Sequence, residues 1–384
     1  MVIKNGNVLL PDGALRPGDI LLDGGVIKAV GGIQAADSEL DVAGAYVVPG
    51  LIDIHTHGIE RQNAGFGSLP ELAKIELSFG ATTFYPTLFG PPDESADHMR
   101  RHRRDTGDLK DAPNVAGFRL ESPYLAFPSG GTPRDCAPIS PETTKMLLDA
   151  GGGHVKIWDV SPELPGAAEV IRELSGMGIV CSIAHTRATI DQSRAAVDAG
   201  ARLVTHLFDV FPPPQQIDPD PDVYPLGLVD YLLVEDRVTC EIIGDGLHVF
   251  PILVEQAFRC KTPDRIAFIT DSNMGAGLPP GRYSLPGGWG DILVQGSNDG
   301  LRLPDRDMVL VGSALTPIAA FRNVIRLFGK DIATASKLCS TTPARLMGLN
   351  KGEISVGKDA DLLVLDSDLN LLYTICAGEV LYRR

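Results

Sequence analysis

The chain has 384 residues, 44% of them hydrophobic. That is too long for one ordinary small domain and apolar enough to supply a large core. Its 49 acidic and 34 basic side chains leave a net charge of −15, which excludes a general nucleic-acid or anionic-membrane binder because those partners need a positive surface. No apolar run reaches the ~18–20 residues of a membrane span.

Residues 1–48 read as short strands broken by glycine turns: VIKNGNVLL, DILLDGGVIKAVGG and AYVVPG. Apolar and polar residues roughly alternate there, as in strands with one buried face. Residues 350–384 look alike, in GEISVGKDADLLVLD and LYTICAGEVLYRR. Two β-rich ends around a long middle predict one small β-sandwich domain built from both termini.

Between them, over 49–349, short apolar strands alternate with helical stretches, the pattern of βα units around a parallel sheet. Eight strands are predicted: LIDIHTH (51–57), TTFYPT (82–87), VAGFRLE (115–121), VKIWDV (155–160), VCSIAHT (180–186), LVTHLF (203–208), CEIIGDG (240–246) and IAFITDS (266–272). Eight is the number that closes a (β/α)8 TIM-like barrel, which is the fold class expected. Residues 166–175 are helical in pattern. Thr189 and Gln192 form a plausible capping box for the helix after the fifth strand, with Gly200 as its stop. Residues 281–311 read as a hairpin insertion before a last helical region, 316–348.

The six cysteines (Cys136, Cys181, Cys240, Cys260, Cys339 and Cys376) are scattered, with no CxxC pair. They predict reduced thiols. The opening MVIKNGNVLLPDG lacks the layout of a secretory leader, so the expected location is cytoplasmic.

Six candidate site residues fall at the C-terminal ends of the predicted strands: His55 and His57 on the first, Glu121 on the third, His185 on the fifth, His206 on the sixth and Asp271 on the eighth. Barrels build their active sites at that end. The i, i+2 spacing of His55 and His57 puts both rings on one face of a strand. A lone histidine is more often a satisfied core residue than a ligand. Four at matching strand ends, with Glu121 beside them, point to a divalent metal, since imidazole and carboxylate are preferred ligands of zinc and similar ions. His98, His102 and His154 read as surface residues. Asp271 is the expected general base, taking a proton from water that the metal activates and later giving it to a leaving group.

PGLIDIHTH after an N-terminal β segment and GEISVGKDADLLVLD near the end resemble the amidohydrolase superfamily. GATTFYPTLF, LESPYL, AHTRATIDQSRAAVDAGARLVTHLF, EIIGDGLHVFP, ITDSNMGAGLPPGRYSL and LVGSALT, in that order over nearly the whole chain, resemble its N-acetylglucosamine-6-phosphate deacetylase family. The resemblance implies a hydrolase of carbon–nitrogen bonds outside peptides, acting on an N-acetyl amino sugar. It assigns the metal to Glu121, His185 and His206, with His55 and His57 implicated in a second ion. Zinc is expected, one ion or two, with iron as the other choice. Asp271 maps to the family's acid/base and His248 to a substrate-contacting histidine. The family's carboxylate is already supplied by Glu121, so Lys156 reads as structural. A homodimer is implied as well.

The departures concern the substrate pocket. Where the family has an Asn–Ala pair after the sixth-strand histidine, and further on a basic residue, this chain has Asp209 and Val210. No Lys or Arg occurs between Arg202 and Arg237, whereas Asp218, Asp220 and Asp222 do. Two unit charges ~4 Å apart interact by about 4 kcal/mol at an effective dielectric of 20, so Asp209 disfavours a neighbouring phosphate. Arg187, where the family commonly has Asn, could grip a carboxylate or phosphate or pair with loop carboxylates such as Asp209. The usual HLEGP becomes RLESP, so Arg119 and Ser122 alter the wall near Glu121. Three readings stand at this point: deacetylation of an N-acetyl amino sugar with no need for phosphate; deacylation of an N-acyl amino acid or opening of a cyclic amide; and a barrel scaffold without catalysis.

Overall fold

The computed structural model describes residues 1–33, 38–128, 133–212, 226–287 and 290–384. The stretch carrying Asp218, Asp220 and Asp222 lies outside the described residues.

Eight parallel strands form the central sheet: β1 (Leu51–Thr56), β2 (Ala81–Leu88), β3 (Phe118–Leu120), β4 (Val155–Val160), β5 (Val180–Ile183), β6 (Leu203–Val204), β7 (Thr239–Ile243) and β8 (Ile266–Ile269), each paired with the next. Every residue of β1, β2 and β8 is buried, as expected of parallel strands covered on both faces. The ends of the sheet meet at a seam just beyond β1 and β8. There Asp271 N–H donates to His55 O at 2.9 Å and His57 N–H donates to Ser272 O at 2.8 Å. The barrel is thereby closed, and the seam sets the two first-strand histidines beside Asp271.

Helices connect the strands. The one after β4 is Ala167–Gly176. The one after β5, Ile190–Ala199, starts at the capping box of Thr189 and Gln192 and stops at Gly200, whose φ of 129° suits glycine. Ile52, Ile54, Ile157, Leu203, Ile243 and Ala267 belong to one apolar cluster drawn from strands all around the barrel. A larger core packs the strands against the helices.

The termini build a second sheet, in the order Glu379–Arg383, Leu371–Cys376, Leu362–Leu365, Tyr46–Pro49, Val2–Leu9, Leu15–Asp23, Val26–Gly31, with Glu39–Asp41 also pairing Val2–Leu9. Leu363 pairs antiparallel with Val48 and Leu365 with Tyr46. That ladder joins the two ends of the chain around a separate core of Ile3, Val8, Ile20, Leu22, Val47, Leu362 and Val364. A four-stranded antiparallel sheet, Gly281–Ser284, Asp291–Val294, Leu301–Leu303 and Val309–Leu310, has a small core of its own. Among the described residues no helix is long and apolar enough to cross a membrane. All six cysteines are free.

Candidate active site

The strands are shorter than the sequence pattern suggested, and five of the six candidate residues lie just past strand ends. His57 follows Thr56, Glu121 follows Leu120, and His185, His206 and Asp271 each stand two residues beyond β5, β6 and β8. The backbone explains why the ladders stop. His185, His206 and Asp271 have φ of 43°, 27° and 47°, a left-handed region that costs a residue with a Cβ and is incompatible with a continuing strand. Turning the chain there aims each side chain across the barrel mouth.

All six converge. Glu121 divides its carboxylate between two groups. Oε1 lies 2.9 Å from His185 Nε2 and 3.3 Å from His206 Nε2; Oε2 lies 2.9 Å from His57 Nε2 and 3.3 Å from His55 Nε2. Asp271 Oδ1 is 3.3 Å from both His55 Nε2 and His57 Nε2. Potential ligand atoms of Glu121, His185 and His206 lie within 4.8 Å of one another, as do those of His55, His57 and Asp271.

The rings are oriented as metal ligands would be. His185 Nδ1 faces Phe127 O at 3.2 Å, His206 Nδ1 faces Asp209 O at 3.1 Å, and His55 Nδ1 faces Glu241 Oε2 at 3.2 Å. Those partners only accept, so Nδ1 must donate and Nε2 is left to face the centre. Each Nε2 lone pair then points at a carboxylate oxygen, an arrangement that requires positive charge between them. The electrostatics of the cluster point the same way. Burial works against a charged ring, yet Glu121 and Asp271 push His57 up to about 10, and Glu121, Asp209 and Asp271 push His206 up to about 10. Burial should raise Asp271, yet His55, His57 and His206 hold it below the usual carboxylate range. A divalent cation meets this demand, so the donor set fits the expected ion.

At the mouth, His248 is anchored by Asp245, which accepts from its Nδ1 at 2.5 Å and from its backbone N–H at 3.0 Å. Its Nε2 is left for a ligand. The Asp209 carboxylate comes within 4.8 Å of ligand atoms of His206 and Asp271. Arg187 is exposed, and its guanidinium sits 5.1 Å from the centre of the Phe127 ring, which in turn lies against His185. Among the described residues no carboxylate forms an ion pair with it. Lys156 donates to Gly153 O at 2.9 Å, away from the site.

Two sequence expectations need correction. His102 is buried and its Nε2 meets Ala64 O at 2.8 Å. It is therefore not a surface residue, because Ala96, Met99 and His102 recur at i, i+3 along the inner side of helix Pro92–Asp105. Arg119 does more than alter the wall near Glu121. It is fully buried, pairs with Glu241, and donates at 3.0 Å to Asp159 Oδ2, Thr205 Oγ1 and Ile54 O. Glu241 and Asp159 were missed altogether. Charged residues in strands that read as buried need partners, and that was the available signal.

The amidohydrolase family matches residues 46–381. The chain belongs to the amidohydrolase family. Among curated relatives, this amidohydrolase is 30% identical over 393 residues to an N-acetylglucosamine-6-phosphate deacetylase of Lysinibacillus sphaericus, covering 99% of this chain and 97% of that one. It is 29% identical over 397 residues to an N-acetylgalactosamine-6-phosphate deacetylase of Escherichia coli O157:H7, covering 99% and 98%. The crystal structure of N-acetyl-D-glucosamine-6-phosphate deacetylase from Mycobacterium smegmatis superposes on the amidohydrolase with a TM-score of 0.87 at 30% identity, covering all of both chains.

Proposed function

We propose that this amidohydrolase removes acetate from an N-acetyl amino sugar. The observation that carries the reading is the division of Glu121 between two histidine pairs, with Asp271 against the His55–His57 pair. The likeness to sugar-phosphate deacetylases along the full chain supports the substrate class.

Glu121, His185 and His206 would hold one divalent ion, and His55, His57 and Asp271 a second, with zinc the expected metal. A divalent ion held there would supply Lewis-acid polarisation of the acetamide carbonyl and a lowered pKa for bound water. Asp271 accepts the water proton and returns it to the departing amine. His248, fixed by Asp245, offers Nε2 to the substrate. Asp209 brings negative charge to the same mouth, which disfavours the 6-phosphate named for the relatives.

A cytoplasmic location is supported by the six free thiols. A homodimer is supported by exposed Phe250 and Ile252, two and four residues after His248, as apolar side chains near the mouth that a second subunit could cover.

The test is acetate release by the zinc-loaded protein from N-acetylglucosamine and from its 6-phosphate. Turnover of both supports the reading. Efficient turnover of the phosphate ester alone removes the phosphate-independent part, and turnover of neither removes the substrate class.

A further inference from the structure

Beneath the site lies a charged group that the proposed chemistry does not use. Arg119, Asp159 and Glu241 are all fully buried. Arg119 contacts both Glu241 oxygens, with Nη2 3.2 Å from Oε2, and reaches Asp159 Oδ2 at 3.0 Å. Thr205 Oγ1 donates to the same Asp159 oxygen at 3.0 Å. Burying ions costs desolvation energy, and well-packed apolar residues often do as well or better in their place. Stability alone is therefore a poor reason for such a group.

The geometry supplies another reason. Glu241 Oε2 is the acceptor for His55 Nδ1 at 3.2 Å and lies 3.3 Å from the backbone N–H of His206. It thus meets the ring of His55 but only the backbone of His206. A carboxylate on the far nitrogen of a ligand histidine fixes the tautomer, sets the ring plane and raises the basicity of the nitrogen that binds metal. Arg119 holds that carboxylate in place with two N–H groups.

We infer that Glu241 is a positioning residue for the His55–His57–Asp271 ion, fixing His55 with Nδ1 protonated and Nε2 free, and that Arg119 exists to hold Glu241. This rests on the reading that His55, His57 and Asp271 bind a divalent ion. It assigns the seventh strand a part in the metal centre without supplying a ligand.

The experiment is zinc titration of metal-free protein, reading the number of ions and their affinities. The native chain should bind two. Glu241→Asp keeps a charge for Arg119 but draws the oxygen back from His55. It should leave one ion unchanged and loosen the other by about 10–100-fold. The Arg119→Met/Asp159→Asn/Glu241→Leu triple variant removes all three charges together, guards against a fold lost to an unpaired buried ion, and should show the same selective loss. Two ions held at native affinity in both variants would overturn the inference while leaving the two-ion reading intact. A native chain that binds one ion, retained in His55→Ala, would overturn the first-strand ion and the inference with it. A merely structural role for Glu241 would lower stability and affect both ions alike, which also counts against it.

Discussion

Glu121 and His185 meet at 2.9 Å, Oε1 to Nε2, with neither exposed to solvent by more than a few per cent. Among the described residues Glu121 is also the one carboxylate that pairs with all three of His55, His57 and His206. Removing its charge should therefore affect both ions at once. Glu121→Gln is expected to lose metal on dialysis far more than the ~10–100-fold weakening typical of residues behind the ligands, and activity should fall with it. Elemental analysis of dialysed protein checks this. Retention of two ions would show that the histidines suffice without the shared carboxylate.

Asp271 separates from Glu121 in what its loss should do. Among the described residues its carboxylate pairs with His55 and His57, whereas Glu121, His185 and His206 form a complete group without it. Asp271→Asn should keep an ion at that group and reduce kcat by about 10²–10⁴-fold, the usual contribution of a positioned acid/base. Single-turnover acetate release on metal-loaded protein measures it. A kcat within threefold of the native value would move the proton-transfer role to another group.

Asp209 stands where a phosphate ester would meet repulsion. Its carboxylate is near Asp271 and His206, and no cation pairs with it among the described residues. Asp209→Asn removes one unit of negative charge while keeping the shape. At a partly solvated mouth that interaction amounts to between about 1 and 4 kcal/mol at ~4 Å. The ratio of kcat/KM for N-acetylglucosamine 6-phosphate over N-acetylglucosamine should rise by about tenfold or more. An unchanged ratio would place the sugar's sixth carbon away from Asp209.

Much of this site could be read from the sequence for one physical reason. In a parallel barrel the position along a strand fixes the end of the barrel, so residue type plus strand end located His55, His57, Glu121, His185, His206 and Asp271. Two things escaped. The pairing of Arg119 on β3 with Glu241 on β7 is a contact across the barrel interior, and nothing in chain order marks which strands face each other there. The left-handed backbone at His185, His206 and Asp271 was hidden because none of them is glycine. His102 was misread for a different reason. The run PDESADHMRRHRRD is so charged that its narrow buried face, Ala96, Met99 and His102, is easily overlooked.

That buried histidine gives the protein an acid-sensitive joint. Burial pushes the His102 ring down to about 4, with Arg101 adding to the shift and the Ala64 carbonyl opposing it. The folded value lies below the unfolded one of ~6.5, so the unfolded chain takes up the proton first. The stability contributed by the neutral ring is fully present above pH ~6.5 and is lost as pH falls toward about 4. At ~1.4 kcal/mol per unit the loss approaches about 3 kcal/mol. Ala64 also donates its N–H to His57 O at 2.7 Å, so the loosened segment is one that holds a site histidine. His102→Gln can keep a donor to Ala64 O without the titration. Urea unfolding of metal-free protein at pH 7.5 and 5 should show the native chain losing more stability than the variant. Equal losses would mean that His102 is not the group taking up the proton.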